Sequence, residues 1–206
     1  MKILKVKEKL QSQKIFTLQD IYTLFPDFRR ETLYDWESQG YVKKIRNKHY
    51  TFSDQEFRNS DLYIVSNKIY DPSYVSLESA LNHYGVIPEA VLKVTAITTR
   101  KTNSFETVLG TFTYKSIKNS LFWGYKIIEN ENIGIKIAEL EKAILDYLYL
   151  NSNISSEEDL ISLRFNTDIL NNILNYDKLQ KYLKIFSNDK LKERATQLIR
   201  YVNENA

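Results

Sequence analysis

Arg29 and Arg30 stand side by side at the head of RRETLYDWESQG, and Lys43, Lys44, Arg46, Lys48 and His49 follow closely in YVKKIRNKHYTF. Guanidinium and ammonium groups at this density pair well with phosphate. An arginine near the start of a helix can also donate two hydrogen bonds to O6 and N7 of guanine at the edge of a base in the major groove. Lysines on a neighbouring loop neutralise phosphates and release counterions without reading sequence. Thr32 and Tyr34 add hydroxyl groups to the same stretch. Asp27, Glu31, Asp35 and Glu37 oppose this field, so an ordinary solvated helix and loop is the alternative.

A second constellation lies in AELEKAILDYLYL, where Glu139, Lys142 and Asp146 are spaced to share one face of a helix. Two carboxylates and an ammonium could position a metal or a phosphate. The same spacing is that of a salt-bridge ladder on a solvated helix, each pair contributing about 0.2–0.5 kcal/mol, and this is the expected role. Ser76, Glu78 and Ser79 are further polar candidates, for which capping and an exposed face are sufficient roles. Thr98, Thr99, Arg100 and Lys101 follow a strand-like run and could hold a phosphate or an RNA backbone, with a polar strand-end loop as the plainer expectation. His83, beside Tyr84, is expected at a helix end, where a cation meets the dipole favourably. Phe122, Trp123 and Tyr125 could stack on single-stranded RNA; core packing is the expected use. With no cysteine and two histidines, thiolate zinc sites, disulfides and a cysteine nucleophile are excluded, and no metal or other cofactor is expected. No glycine-rich phosphate loop and no Ser/His/Asp arrangement stands out.

The elements that must position the first cluster are legible from periodicity. Ile3, Val6 and Leu10, then Leu18, Ile21, Tyr22 and Phe25 behind a Thr17 cap, predict two short amphipathic helices. After Phe25-Pro26-Asp27 a third helix is expected from Arg29 or Arg30 to Gln39, burying Leu33 and Trp36, presenting Arg29, Arg30, Tyr34, Asp35 and Ser38, and stopped by Gly40. YVKKI and KHYTF read as a hairpin turning at Arg46-Asn47. Three helices and a basic hairpin are the plan of a winged helix-turn-helix over residues 1–55. Residues 56–73 are expected to form a connecting helix or linker.

Residues 74–206 read as an α+β domain with strands first and helices last. Ser76 is placed to cap a helix with Leu77, Ala80, Leu81 and Tyr84 on one face and Gly85 at its end. VTAITT, SFETVLGTFTYKSI, FWGYKII and IGIKIA are strand-like, with a turn or bulge at Gly110 and a turn in ENENIG. Leu140, Ile144, Tyr147 and Leu148 make an apolar helical stripe. A helix capped by Ser155 or Ser156 follows, then helices over 176–186 and 189–203.

The chain has 206 residues, of which 43% are hydrophobic, enough to fill a real core. It contains no apolar run long enough for a membrane span and its N-terminal residues are charged throughout, so a soluble cytoplasmic protein with no membrane partner is expected. Residues 1–52 hold eleven Lys and Arg against six Asp and Glu, a net of +5; the remainder holds eighteen against twenty, a net of −2. This asymmetry favours a nucleic-acid partner for the N-terminal part.

In order, a winged-helix pattern, YVSLESALNHYGVIPE, TAITTRKTNSFETVLGTFTYKSI, FWGY and IAELEKAILDYLYL resemble the AbiEi family of type IV antitoxin-like transcriptional regulators, over roughly residues 1–150. The resemblance implies an N-terminal winged helix that binds inverted repeats of double-stranded DNA in its own promoter and represses the operon. It implies a C-terminal domain that supplies antitoxin function against a co-encoded nucleotidyltransferase-like toxin, AbiEii. An enzyme acting on the toxin or its nucleotide or RNA target through the second domain, and a module docking a protein, are the alternatives; a non-enzymatic regulator is expected.

Overall fold

The computed structural model describes residues 3–88, 93–154 and 156–205, and within them the chain is mixed α+β with two sheets. It begins α1 (Ile3–Leu10), β1 (Phe16–Thr17), α2 (Leu18–Leu24), α3 (Arg30–Ser38), β2 (Val42–Arg46) and β3 (His49–Phe52). The strands form a three-stranded antiparallel sheet ordered β1-β3-β2. Val6, Leu10, Ile21, Leu33 and Trp36 close on Val42, Tyr50 and Phe52 of this sheet, so the predicted apolar spacings do form one core. Burying side chains of this size stabilises the fold by about 1.5–3 kcal/mol each.

Local signals fix the ends of these helices. The Thr17 hydroxyl accepts from the Asp20 amide at 3.2 Å and the Asp20 carboxylate accepts from the Thr17 amide at 2.6 Å, a reciprocal capping box that starts α2. At the end of α3 the Gly40 amide donates to the Glu37 carbonyl at 3.1 Å and the Tyr41 amide to the Trp36 carbonyl at 2.9 Å. This Schellman closure requires the positive φ of 75° that Gly40 supplies.

The hairpin turns one residue later than predicted, at Asn47-Lys48, with Arg46 opposite His49. Asn47 takes the positive φ of 46° that a two-residue turn demands, and asparagine tolerates this better than arginine.

Helix α4 (Asn59–Ile69) lies in the stretch expected as a connecting helix or linker and is well packed, with Ile64, Val65 and Ile69 buried. Strand β4 (Ser73–Val75) and α5 (Leu77–His83) follow, then β5 (Lys93–Thr98), β6 (Asn103–Thr107), β7 (Gly110–Ser116), β8 (Tyr125–Asn130) and β9 (Ile133–Ala138). They build a six-stranded sheet ordered β6-β7-β5-β4-β9-β8, in which β4 runs parallel to β9 and β5 parallel to β7. Strand β4 was not expected from the sequence. It is only three residues long and wholly buried, so it shows none of the alternation that marks a half-exposed strand. SFETVLGTFTYKSI divides into β6 and β7, and the predicted strand FWGYKII begins only at Tyr125 because Asn119–Leu121 form a 3₁₀ turn. The ENENIG turn is centred on Glu131 and Asn132, both at positive φ.

The chain ends in α6 (Leu140–Leu150), α7 (Glu157–Ser162), α8 (Thr167–Ile173), α9 (Tyr176–Phe186) and α10 (Asp189–Asn205). Helix α8 was not expected; Ser156 caps α7 through the Asp159 amide, while Ser155 lies outside the described residues. Helices α5 and α6, backed by α9 and α10, share a core with Tyr74, Ile97 and Ile137 of the sheet. Val65 and Ile69 of α4, with Val94, Ala96, Phe112 and Tyr114 of the strands, form another core. Ile15 and Ile45, from the first fifty residues, are buried in that second core, so the two sheets are joined through packed side chains.

Candidate nucleic-acid interface

Helix α3 buries Leu33 and Trp36 and therefore turns Arg30 and Tyr34 outward. At about 100° per residue, Arg30 and Tyr34 fall on the edge nearest the hairpin, while Glu31 and Asp35 project roughly a quarter turn away. The Arg30 Nε donates to the Tyr34 hydroxyl at 2.6 Å and its guanidinium lies 5.2 Å from that ring, so the two side chains hold each other along the helix. Tyr34 remains 44% exposed. Arg29 precedes the helix in an extended conformation with its side chain in solvent, and half-buried Thr32 donates its amide to the Arg29 carbonyl at 3.0 Å.

Facing this edge across a groove of about 430 Å³ are Lys44 of β2, the Asn47-Lys48 turn and His49 of β3. Thr17, Gln19 and Tyr22 close the groove from the α2 side. Its described lining includes Arg30, Lys44 and Lys48 and no carboxylate. The acidic residues that seemed to oppose the basic cluster therefore lie outside the groove. Lys43 and Lys44 are both exposed, as is Lys48.

Two of the residues expected here behave differently. Burial holds the His49 imidazole below its ordinary pKa, against the opposing effect of its hydrogen bond to the Arg46 backbone, and nearby Lys68 lowers it further. His49 is thus neutral at pH 7 and offers hydrogen bonding rather than charge. Arg46 is turned away from the groove altogether. The pairing of β2 with β3 shifts register between Lys44 and Arg46, and this bulge rotates Arg46 onto the face that carries Ile45. Its guanidinium stacks 3.0 Å from the centre of the Phe105 ring, at the second sheet.

The second constellation is brought together, but not on a solvated face. Lys142 and Asp146 pair on α6 with both side chains 0% exposed. The Tyr74 hydroxyl donates to Asp146 Oδ2 at 3.0 Å and accepts from Lys142 Nζ at 2.9 Å, and the Ser76 hydroxyl donates to Asp146 Oδ2 at 2.9 Å. The Lys142 ammonium also lies 5.0 Å from the Phe186 ring and 5.3 Å from that of Trp123. Burial drives the Lys142 pKa down and the Asp146 pKa up, each opposed by the partner. Gly124 passes so close that a Cβ there would sit 3.0 Å from Lys142 Cγ.

Glu139 does not join that cluster. It accepts from Lys178 of α9 at 2.8 Å and from the Tyr182 hydroxyl, and Lys178 also reaches Glu141 at 3.4 Å. The expected ladder is replaced by a sealed ion pair and a tie between helices.

Ser76 precedes α5 at the predicted cap position, but its hydroxyl makes no cap and serves Asp146 instead, while Leu77 takes a positive φ of 55°. Ser79 is buried, not exposed, and its hydroxyl accepts from the Thr95 amide at 2.8 Å. Glu78 is half-buried. His83 is the last residue of α5 as expected, yet burial lowers its pKa, the reverse of what a favourable dipole contact produces. Thr98 donates to the Pro72 carbonyl at 2.7 Å, and Arg100 donates to the Asp71 carbonyl at 3.2 Å with its guanidinium 4.3 Å from the Tyr70 ring. Phe122, Trp123 and Tyr125 pack against the core, as expected.

No helix among the described residues is long and apolar enough to cross a membrane, and none of their His, Asp and Glu side chains form a group of three or more placed to hold a metal ion. No protein-family model matches the chain, and no curated protein matches it.

Proposed function

We propose that this chain is a DNA-binding autorepressor and antitoxin of a type IV-like toxin–antitoxin system, acting without catalysis of its own. In this reading residues 1–55 are a winged helix-turn-helix, residues 56–73 connect, and residues 74–206 form the α+β antitoxin-like domain that counters a nucleotidyltransferase-like toxin. The observation that carries the DNA reading is the groove between α3 and the hairpin, with Arg30, Lys44 and Lys48 in its lining and no carboxylate among its lining residues. The element order α1-β1-α2-α3-β2-β3 with an antiparallel sheet supports it, because it leaves one exposed helix edge beside a basic hairpin. The antitoxin half rests on the sequence resemblance.

Mechanistically, α3 enters the major groove with Arg29 and Arg30 at base edges and Tyr34 steadying Arg30. Lys43, Lys44 and Lys48 meet phosphates on either side. Two copies on an inverted repeat occlude the promoter. The test is titration of the chain with its own upstream duplex at several salt concentrations. Arg30→Ala is expected to weaken binding by about 1–3 kcal/mol and relax preference at one base position, and Lys44→Ala to weaken all sequences alike and reduce the salt slope by about one. Absence of binding to any inverted repeat at low salt would sink the reading.

A further inference from the structure

Behind the hairpin, on the side away from α3, a second cleft separates the Asn47-Lys48 turn from α4 and the loop after β5. It measures about 570 Å³, with Lys48, His49, Lys68 and Arg100 in its lining. A contiguous hollow of about 350 Å³ shares His49 and Lys68 and adds Asn67, Gly134 and Lys136. Asp71 is the one carboxylate lining either, and it is engaged by Lys136 at 3.4 Å.

The cations here are under-compensated. The Lys68 ammonium, half-buried, is met by the carbonyl oxygens of Gln13 and Ile15, both at 3.4 Å, and forms no ion pair among the described residues, Asp20 acting on it only from farther off. Arg100 approaches the Tyr70 ring at 4.3 Å and makes no ion pair among the described residues. A hydrogen-bond donor is also left over. The Asn67 amide is fixed in orientation because its Oδ1 accepts from the Lys136 backbone N–H at 2.7 Å. That leaves Asn67 Nδ2 as a buried donor without a partner. Buried donors are ordinarily satisfied, and leaving one unpaired is costly. Ammonium, guanidinium and amide N–H groups around one hollow are the donor set that a phosphate takes.

We propose that this cleft binds a phosphate group through Lys68 and Arg100, with Asn67 as an amide donor and Lys48 and Lys136 on the rim. The phosphate can be a free anion or belong to the backbone of a bound nucleic acid. The cleft abuts the α3 groove through Asn47, Lys48 and His49, so occupancy bears directly on the position of the hairpin. The site does not depend on the operator-reading role of α3.

Nuclear magnetic resonance of the isotope-labelled full chain, titrated with inorganic phosphate at low ionic strength, tests the site directly. Saturable shifts are expected at the Asn67 side-chain amide and the Gly134 backbone amide. Affinity is expected to fall at least about tenfold in Lys68→Met or Arg100→Gln. Lys136→Gln, on the partly exposed rim, provides a milder variant, and thermal unfolding confirms that each variant is folded. Signals unmoved by free phosphate, but a reduced salt slope for duplex binding in Lys68→Met and Arg100→Gln, would assign the phosphate to a nucleic-acid backbone. Unmoved signals with an unchanged slope, or with no duplex binding at all, overturn the proposal. Arg30→Ala and Lys44→Ala distinguish the two readings, because they lie outside this cleft and leave the phosphate titration unchanged.

Discussion

At the scale of single residues, the Lys142–Asp146 pair shows how little a spacing says about environment. Residues four apart on a helix meet equally well in water or in a core. Here both are sealed, and the groups that make this tolerable, Tyr74 and Ser76, come from some seventy residues earlier in the chain. No local pattern reports such partners. A buried pair of this kind is weak evidence for stability in itself, but removing one member strands the other. Lys142→Met and Asp146→Leu are each expected to destabilise the chain by about 3–5 kcal/mol in urea unfolding, and the double variant by much less than the sum. Additive losses would show that the two charges are not coupled as the geometry requires. Arg30 and Gly40 are the opposite case. Their roles follow from a helix start, a buried Leu33–Trp36 side and a C-terminal glycine, all local signals, and the structure places them accordingly.

At the scale of elements, β2 carries its charges in two directions. Alternation along VKKIR would set Arg46 beside Lys44, and only the bulge sends it to Phe105. A bulge has no reliable signature in a run of β-prone residues, which is why Arg46 reads from sequence as a phosphate ligand. Stacking of a partly desolvated guanidinium contributes about 0.5–2 kcal/mol. Arg46→Ala is therefore expected to lower the unfolding free energy by about that amount while leaving the salt slope of the proposed DNA binding unchanged, in contrast to Lys44→Ala. A slope reduced as much as by Lys44→Ala would return Arg46 to the interface. Helix α4 supplies a second element-scale prediction through Asp61, which Lys14 meets at 3.3 Å and Asn130 at 2.8 Å. Burial alone would raise its pKa, but the Arg58 backbone N–H, Asn130 and Lys14 together hold it below the ordinary 3.8. A carboxylate so depressed stabilises the fold above its unfolded pKa and loses that contribution as pH falls through the folded one. Stability is accordingly expected to decline as pH drops below the ordinary 3.8, with a shallower decline in Asp61→Asn, measured by urea unfolding at stepped pH.

At the scale of the whole molecule, the sequence divides cleanly by charge and by element type, yet the structure packs across that division. Ile15 and Ile45 enter the core formed by α4 and the six-stranded sheet, and Lys14 ties the early chain to Asp61 and to Glu131 between β8 and β9. Composition and periodicity reveal which side chains are apolar but not which of two adjacent cores they enter, so the junction was not legible from sequence. The two tryptophans report on the two sides: Trp36 lies in the core of the first sheet, and Trp123 packs against the core of α5 and α6. If the junction is a true core, both sides unfold together. Trp36→Phe and Trp123→Phe variants, each leaving one fluorescent reporter, are expected to show coincident urea midpoints after correction for their own stability changes. Ile45→Ala is expected to lower both midpoints together, by about 2–5 kcal/mol in free energy, since the lost methylenes leave a cavity that both sides line. Separation of the two transitions in the otherwise unaltered chain would mean that the first sheet moves as an independent reader on a flexible connection. Coincidence would mean that a ligand held behind the hairpin is positioned against a rigid platform, and that its effect must be exerted through the hairpin itself.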